Sequence, residues 1–159
     1  MQNYHHEVEF TVFIREYGQN ISADTAMDNL IGYACGLDIT RRDLQAIARE
    51  KRRLWDLAKD VEQSAVIGTI TYKRNFGDGD IGAQKIELFV NYEPIQSAHL
   101  SDMIHTLPDI ICDLSKYYTL HSSDVNMTGT PAGIAPVVPG DKMDSRIERL
   151  LDLVVTVEA

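Results

Sequence analysis

Basic side chains are in short supply. Fifteen Lys and Arg face twenty-four Asp and Glu, a net charge of −9, whereas binding nucleic acid through its phosphates needs clustered cations in excess. The charge argues against a general nucleic-acid binder. Cysteine is scarcer: Cys35 and Cys112 are the only two, far apart and in no CxxC or Cys/His spacing, so neither a zinc site nor a disulfide framework is indicated. Both read as buried thiols in a reducing compartment. Long apolar runs are missing too. Nothing approaches the roughly 18 to 20 residues that cross a bilayer, and no charged segment followed by an apolar one opens the chain as a leader would. The expectation is a soluble, cytoplasmic protein with no membrane partner. What is present is 159 residues at 44% hydrophobic content, enough for one good core and short for two. A single domain over 1–159 is expected.

The pattern along the chain favours strands. EVEFTVFI, Glu7 to Ile14, alternates β-branched and aromatic residues with a partly polar face. Ala23 to Leu30 is a short helix candidate capped by Ser22, and Ile31 to Leu37 a buried strand interrupted by Gly32 and Gly36. Thr40 is placed to cap a helix from about Arg41 to Arg53, with Leu44, Ile47, Ala48 and Leu54 at helical spacing and a basic opposite face. Strands are expected at Ala65–Tyr72 and Ile86–Asn91, a glycine- and aspartate-rich loop at Asn75–Gly82, and a hairpin near Tyr92–Pro94. Ser101 is read as the cap of a helical turn. Pro108 opens a second helix to about Tyr118, with Ile110, Ile111, Leu114 and Tyr117 or Tyr118 as its apolar stripe. Asp124–Met127 and Leu150–Val157 complete the strands. With no regular βαβ alternation, the economical reading is an α+β, strand-rich domain with a few flanking helices.

Candidate chemistry begins at Glu7 and Glu9. Period-2 alternation puts both carboxylates on one side of a strand, roughly 7 Å apart at Cα, so they are either a metal-binding pair or a wet strand face. Asp38, directly after the apolar GYACGL, needs a partner or an exposed position. Three carboxylates form a hard oxygen set suited to Mg²⁺ or Mn²⁺. Arg42 either pairs with Asp43 or Glu50 on a wet helix or serves an anionic substrate beside such an ion. Lys59 follows the only tryptophan and, if buried, needs an anion. The stretch from Thr128 to Gly133, TGTPAG, is an ordinary turn or a cradle in which backbone N–H groups and the Thr130 hydroxyl hold a carboxylate. It lacks the GK[ST] of a Walker A loop.

Several stretches coincide with one pattern: HHEVEF, GYACGLDITRRDLQ, WDLAK, SDMIHTLPDIICDLSKYYTL, SSDVNMTGTPAG and PVVPGDKM, in that order. Together they resemble the fumarylacetoacetate hydrolase family in its catalytic carboxy-terminal domain, over nearly the whole chain. The likeness is strongest to the small members that act as acylpyruvases or oxaloacetate decarboxylases. It implies that Glu7, Glu9 and Asp38 bind Mg²⁺ or Mn²⁺ and that Arg42 and Gln45 contact substrate or hold the metal shell. It further implies that Lys59 is the active-site lysine, and that Thr130, with Gly129 in the same loop, binds substrate. The implied fold is a mixed β-roll with flanking helices, and the implied assembly a homodimer.

The implied reaction is Mg²⁺-dependent cleavage of a C–C bond in 2,4-diketo acids of the acylpyruvate or fumarylpyruvate type, through a metal-stabilised enolate. Oxaloacetate decarboxylation, or a related isomerisation, is the alternative at the same site. The family pattern carries a lid segment with a catalytic His and Glu before its E-x-E strand, which this chain begins too late to include. A homologue that keeps the fold and the ion but is catalytically impaired is therefore the third expectation. His5 and His6 belong beside the metal strand rather than to a lid, His6 in a supporting role. Tyr92 stands where the family commonly has glycine in a hairpin, and Thr69 where it has proline.

Overall fold

The computed structural model of the chain describes residues 3–77 and 79–158. Strands dominate it: β1 (Tyr4–His5), β2 (Val8–Ile14), β3 (Leu30–Asp38), β4 (Thr40–Arg41), β5 (Ala65–Ile67), β6 (Thr71–Tyr72), β7 (Lys85–Val90), β8 (Glu93–His99), β9 (Val125–Met127), β10 (Lys142–Ile147) and β11 (Leu153–Thr156). The helices are short: α1 (Ala23–Ala26), α2 (Arg42–Glu50), α3 (Asp56–Lys59), α4 (Lys73–Phe76) and α5 (Leu107–Tyr117). One sheet runs β5-β3-β2-β9, with β6 also on β3; a second runs β11-β10-β7-β8; β1 and β4 form a separate pair. Every pairing is antiparallel. The expected α+β, strand-rich class is the one observed.

The core lies where the two sheets meet, β2 against β7 and β3 against β10. Strand alternation turns Val8, Phe10, Val12 and Ile14 of β2 inward, none more than 2% exposed. Ile86 and Leu88 of β7 and Met143 and Ile147 of β10 join the same cluster. Each such side chain contributes about 1.5–3 kcal/mol by leaving water. Helix α5 is set by its first turn: Thr106 accepts from the Asp109 N–H, Asp109 accepts from the Thr106 N–H, and Pro108 sits just inside. Leu107, Ile111 and Ser115, four residues apart, form its buried face.

Several expectations shift. Thr40 does not cap α2; it pairs with His5, and the cap position falls on Arg41. α2 ends at Glu50 and buries no residue, and Leu54 is 85% exposed, so the helical spacing of Leu44, Ile47, Ala48 and Leu54 marks no core face. The Ala65–Tyr72 strand splits into β5 and β6 where Gly68 hydrogen-bonds to the Cys35 carbonyl. His99, not Ser101, caps a 3₁₀ turn at Leu100–Asp102, and Ser22 sits at the α1 cap position with its hydroxyl on Thr25. Tyr117 and Tyr118 are exposed rather than part of a core stripe, and Cys112 is half-buried where a buried thiol was expected. Within the expected 75–82 loop, Asp78 lies outside the described residues. Strand β10 lies where the sequence pattern predicts no strand. No described helix is long and apolar enough to cross a membrane.

Candidate active site

Strand register gathers the carboxylates. Val8 pairs with Leu37 and Glu9 with Gly36, so Glu7, just ahead of β2, lies opposite Asp38, whose N–H donates to the Glu7 carbonyl at 2.9 Å. Directly opposed residues of an antiparallel pair share a face, as do residues two apart on one strand. Glu7, Glu9 and Asp38 therefore converge, each offering an oxygen within 4.8 Å of the others. Glu9, 5% exposed, and Glu7, 7%, are buried, while Asp38 is half-buried. Gly36, opposite Glu9, leaves room for the Thr11 hydroxyl, with which a Cβ there would collide.

Two cations enter from the helices after β4. Lys59, at the end of α3, places its ammonium 2.7 Å from Glu7 Oε2 and 2.5 Å from Asp38 Oδ2. Arg42, the first residue of α2, donates to Glu7 Oε1 and, through its other terminal nitrogen, to Gln45 Oε1 one turn on. Of the two readings of Arg42, its guanidinium takes the one that turns into the site, toward Glu7. Burial pushes Glu7 upward, but its Lys59 and Arg42 bonds outweigh this and hold it below the usual range. Burial acts against the Lys59 charge, and the Asp38 and Glu7 carboxylates overcome it, so the ammonium is held more firmly than usual.

Glu9 is treated differently. Among the described residues the Gly129 N–H, 2.8 Å from Oε2, is the one hydrogen-bond donor to its carboxylate. Burial, with the Asp38 and Glu7 charges adding to it, pushes Glu9 up to about 7. A buried carboxylate with one donor, beside two others, suits a cation. The donor set is all oxygen, which fits Mg²⁺ or Mn²⁺ rather than a thiophilic metal.

The TGTPAG loop reaches the site by continuing β9, whose Met127 pairs with Thr11. Thr128 hooks to the Phe10 carbonyl through both its N–H and its hydroxyl, which brings Gly129 to Glu9. Thr130 is fixed by a residue that sequence reasoning missed. Gln96 of β8, 1% exposed, has its amide nitrogen 2.9 Å from Thr130 Oγ1 and 2.8 Å from the Pro131 carbonyl. Its amide oxygen lies 3.1 Å from the Val8 N–H and 3.0 Å from His6 Nδ1. His6 is itself buried, and burial holds it below its ordinary value against the opposing Gln96 bond and Glu7 charge. The one available signal for Gln96 was its place after the hairpin, in EPIQSAH.

A model of the fumarylacetoacetate hydrolase carboxy-terminal domain matches residues 1–158. The chain belongs to the fumarylacetoacetate hydrolase family. Within that family it is 42% identical to a fumarylpyruvate hydrolase of a Ralstonia species over 156 residues, 98% of this chain and 79% of that one. It is 36% identical to the mitochondrial oxaloacetate tautomerase FAHD1 of Mus musculus, over 96% of this chain and 68% of the relative. Among solved structures, the fumarylpyruvate hydrolase of Pseudomonas aeruginosa in complex with Mn²⁺ and pyruvate superposes with a TM-score of 0.94 at 35% identity. That match covers 98% of this chain and 66% of the other. The chain thus spans from about two thirds to about four fifths of the length of these family members.

Proposed function

We propose that the protein is a Mg²⁺- or Mn²⁺-dependent hydrolase that cleaves a C–C bond of 2,4-diketo acids of the acylpyruvate type. The observation that carries this reading is the convergence of Glu7, Glu9 and Asp38 within 4.8 Å, flanked by Lys59 and Arg42 and faced by the Gly129–Thr130 loop. Glu7, Glu9 and Asp38 would hold the ion. Bound there, it would supply Lewis-acid stabilisation of negative charge developing on the pyruvate half of the substrate.

The remaining work belongs to side chains of this chain. With all three carboxylates ionised, as they are around a bound cation, they exceed the two cations by one negative charge, and a divalent ion turns that into one positive charge, which favours an anionic keto acid. Lys59 Nζ, kept protonated, offers a fixed charge to the substrate carboxylate. Arg42, oriented by Gln45, acts as a second anchor. Glu9 gives up a proton when the cation binds. Gly129 and the Thr130 hydroxyl orient the substrate at the opposite wall. One domain acting as a homodimer is the proposed assembly, to which the exposed Leu54 and Leu57 give support.

Oxaloacetate tautomerisation is a second reading, favoured by the likeness to the mouse oxaloacetate tautomerase, since it passes through the same kind of enolate without breaking a C–C bond; decarboxylation belongs with it. Assays of acetylpyruvate hydrolysis, oxaloacetate enol–keto exchange and CO₂ release with Mn²⁺ separate these readings. Hydrolysis at a rate exceeding both other reactions, abolished by chelator and by Asp38→Ala, is expected. Exchange without hydrolysis would give the second reading precedence. Mn²⁺ binding without turnover of any of these acids would leave an ion-binding domain and contradict the hydrolase.

A further inference from the structure

Gln96 is the only fully buried residue of β8, and all four hydrogen-bonding positions of its amide are used. Pro131 O accepts only and the Val8 N–H donates only, so the amide orientation is unique: reversed, it would set two acceptors and two donors face to face. Two consequences follow. The amide oxygen only accepts, so His6 must carry its proton on Nδ1. The amide nitrogen only donates, so Thr130 Oγ1 accepts from Gln96 and its own hydroxyl hydrogen is free for another partner.

The two ends of this amide grip the two walls of the site. His6 and Val8 flank Glu7, and Thr130 and Pro131 follow Gly129, which donates to Glu9. Gly133 seals the same junction, since at φ +107° a Cβ there would collide with the Ile95 carbonyl beside Gln96. Gln96 thus reaches from the second sheet to join the carboxylate strand to the loop across from it.

We propose that Gln96 is a positioning residue that fixes the Thr130 hydroxyl as a hydrogen-bond donor to the keto-acid substrate and sets its place relative to the Glu7–Glu9 strand. The role rests on the proposed function, in which Thr130 binds that substrate. Gln96→Glu is the informative variant: it keeps the shape and the acceptor toward Val8 and His6, but its second oxygen faces both Thr130 Oγ1 and the Pro131 carbonyl, so the Pro131 bond is lost and the Thr130 hydroxyl hydrogen is drawn away from substrate. Loss of a hydrogen bond to a charged ligand is expected to weaken binding about tenfold or more.

The test is calorimetry with Mn²⁺, then with pyruvate on the Mn²⁺-loaded protein, for wild type, Gln96→Glu, Thr130→Ala and the double variant, together with ¹⁵N imidazole spectra of metal-free wild type. Expected are Mn²⁺ affinity within about threefold of wild type, pyruvate affinity lowered about tenfold by either single change, and little further loss in the double variant. The His6 resonances should report the Nδ1–H tautomer, a readout that needs no variant to fold. Additive losses in the double variant, pyruvate binding unchanged by Gln96→Glu, or an Nε2–H tautomer would each overturn the proposal. Wild type that binds neither Mn²⁺ nor pyruvate would overturn the functional reading and the role of Gln96 with it, while the tautomer would still come out as stated.

Discussion

Glu9 is the residue at which folding and ion binding compete. With its carboxyl pushed up to about 7 from an ordinary 4.5, Glu9 of the folded metal-free protein favours the protonated form below about pH 7 and the ionised form above it. The stabilisation this gives is fully present below the unfolded value near 4.5 and is lost as pH rises through about 7, on the order of 3 kcal/mol in all. His5 and His6, both lowered chiefly by burial, act in the opposite direction as pH falls through 6.5. The difference between wild type and Glu9→Gln isolates the Glu9 part: urea unfolding of the metal-free proteins should show the variant gaining relative stability from pH 5 to pH 8. Equal slopes would mean that Glu9 is not perturbed. At this scale the sequence was informative where residues cluster into ordered motifs, as with Glu7, Glu9, Asp38, Lys59 and Thr130. It was silent about Gln96, whose partners lie 34 to 90 positions away on other elements.

Strand register, not helix pattern, builds the site. Gly36 opposite Glu9 lets Thr11 approach the neighbouring backbone, and Gly36→Ala is expected to cost about 1–3 kcal/mol in a chemical-denaturation curve because Thr11 must move. The β7–β8 hairpin turns on Asn91 and Tyr92, both with positive φ (51° and 73°), as a two-residue primed turn requires. Glycine removes the side-chain clash that Tyr92 pays there, so Tyr92→Gly should raise stability by up to about 1 kcal/mol. Loss of the Lys142 ammonium over its ring, 5.5 Å from the centroid, offsets part of this. The apolar alternation of β2 and the Pro108 start of α5 were readable from local sequence. β10 was not, because its buried face is Met143, Ser145 and Ile147, and the serine breaks the apolar alternation. The spacing in α2 misled for the converse reason: this helix lies at the rim of the site, where Arg42 and Gln45 are held by each other and by Glu7 rather than by a core.

For the whole molecule, a net charge of −9 would repel an anionic keto acid at long range. The site answers locally, with Lys59 and Arg42 set against its own carboxylates and an ion needed to reverse the balance. Substrate affinity should therefore depend on the metal far more steeply than on salt, and chelation should abolish pyruvate binding in calorimetry while moderate salt weakens it only a few-fold. Light scattering is expected to give about twice the chain mass of 17.9 kDa, as a homodimer requires. The most direct test is anomalous diffraction from crystals grown with Mn²⁺. The expected result is a single strong peak within about 2.0–2.4 Å of carboxylate oxygens from Glu7, Glu9 and Asp38. No peak there, with Lys59 still bridging Glu7 and Asp38 at saturating Mn²⁺, would contradict the assignment of this cluster as the metal site.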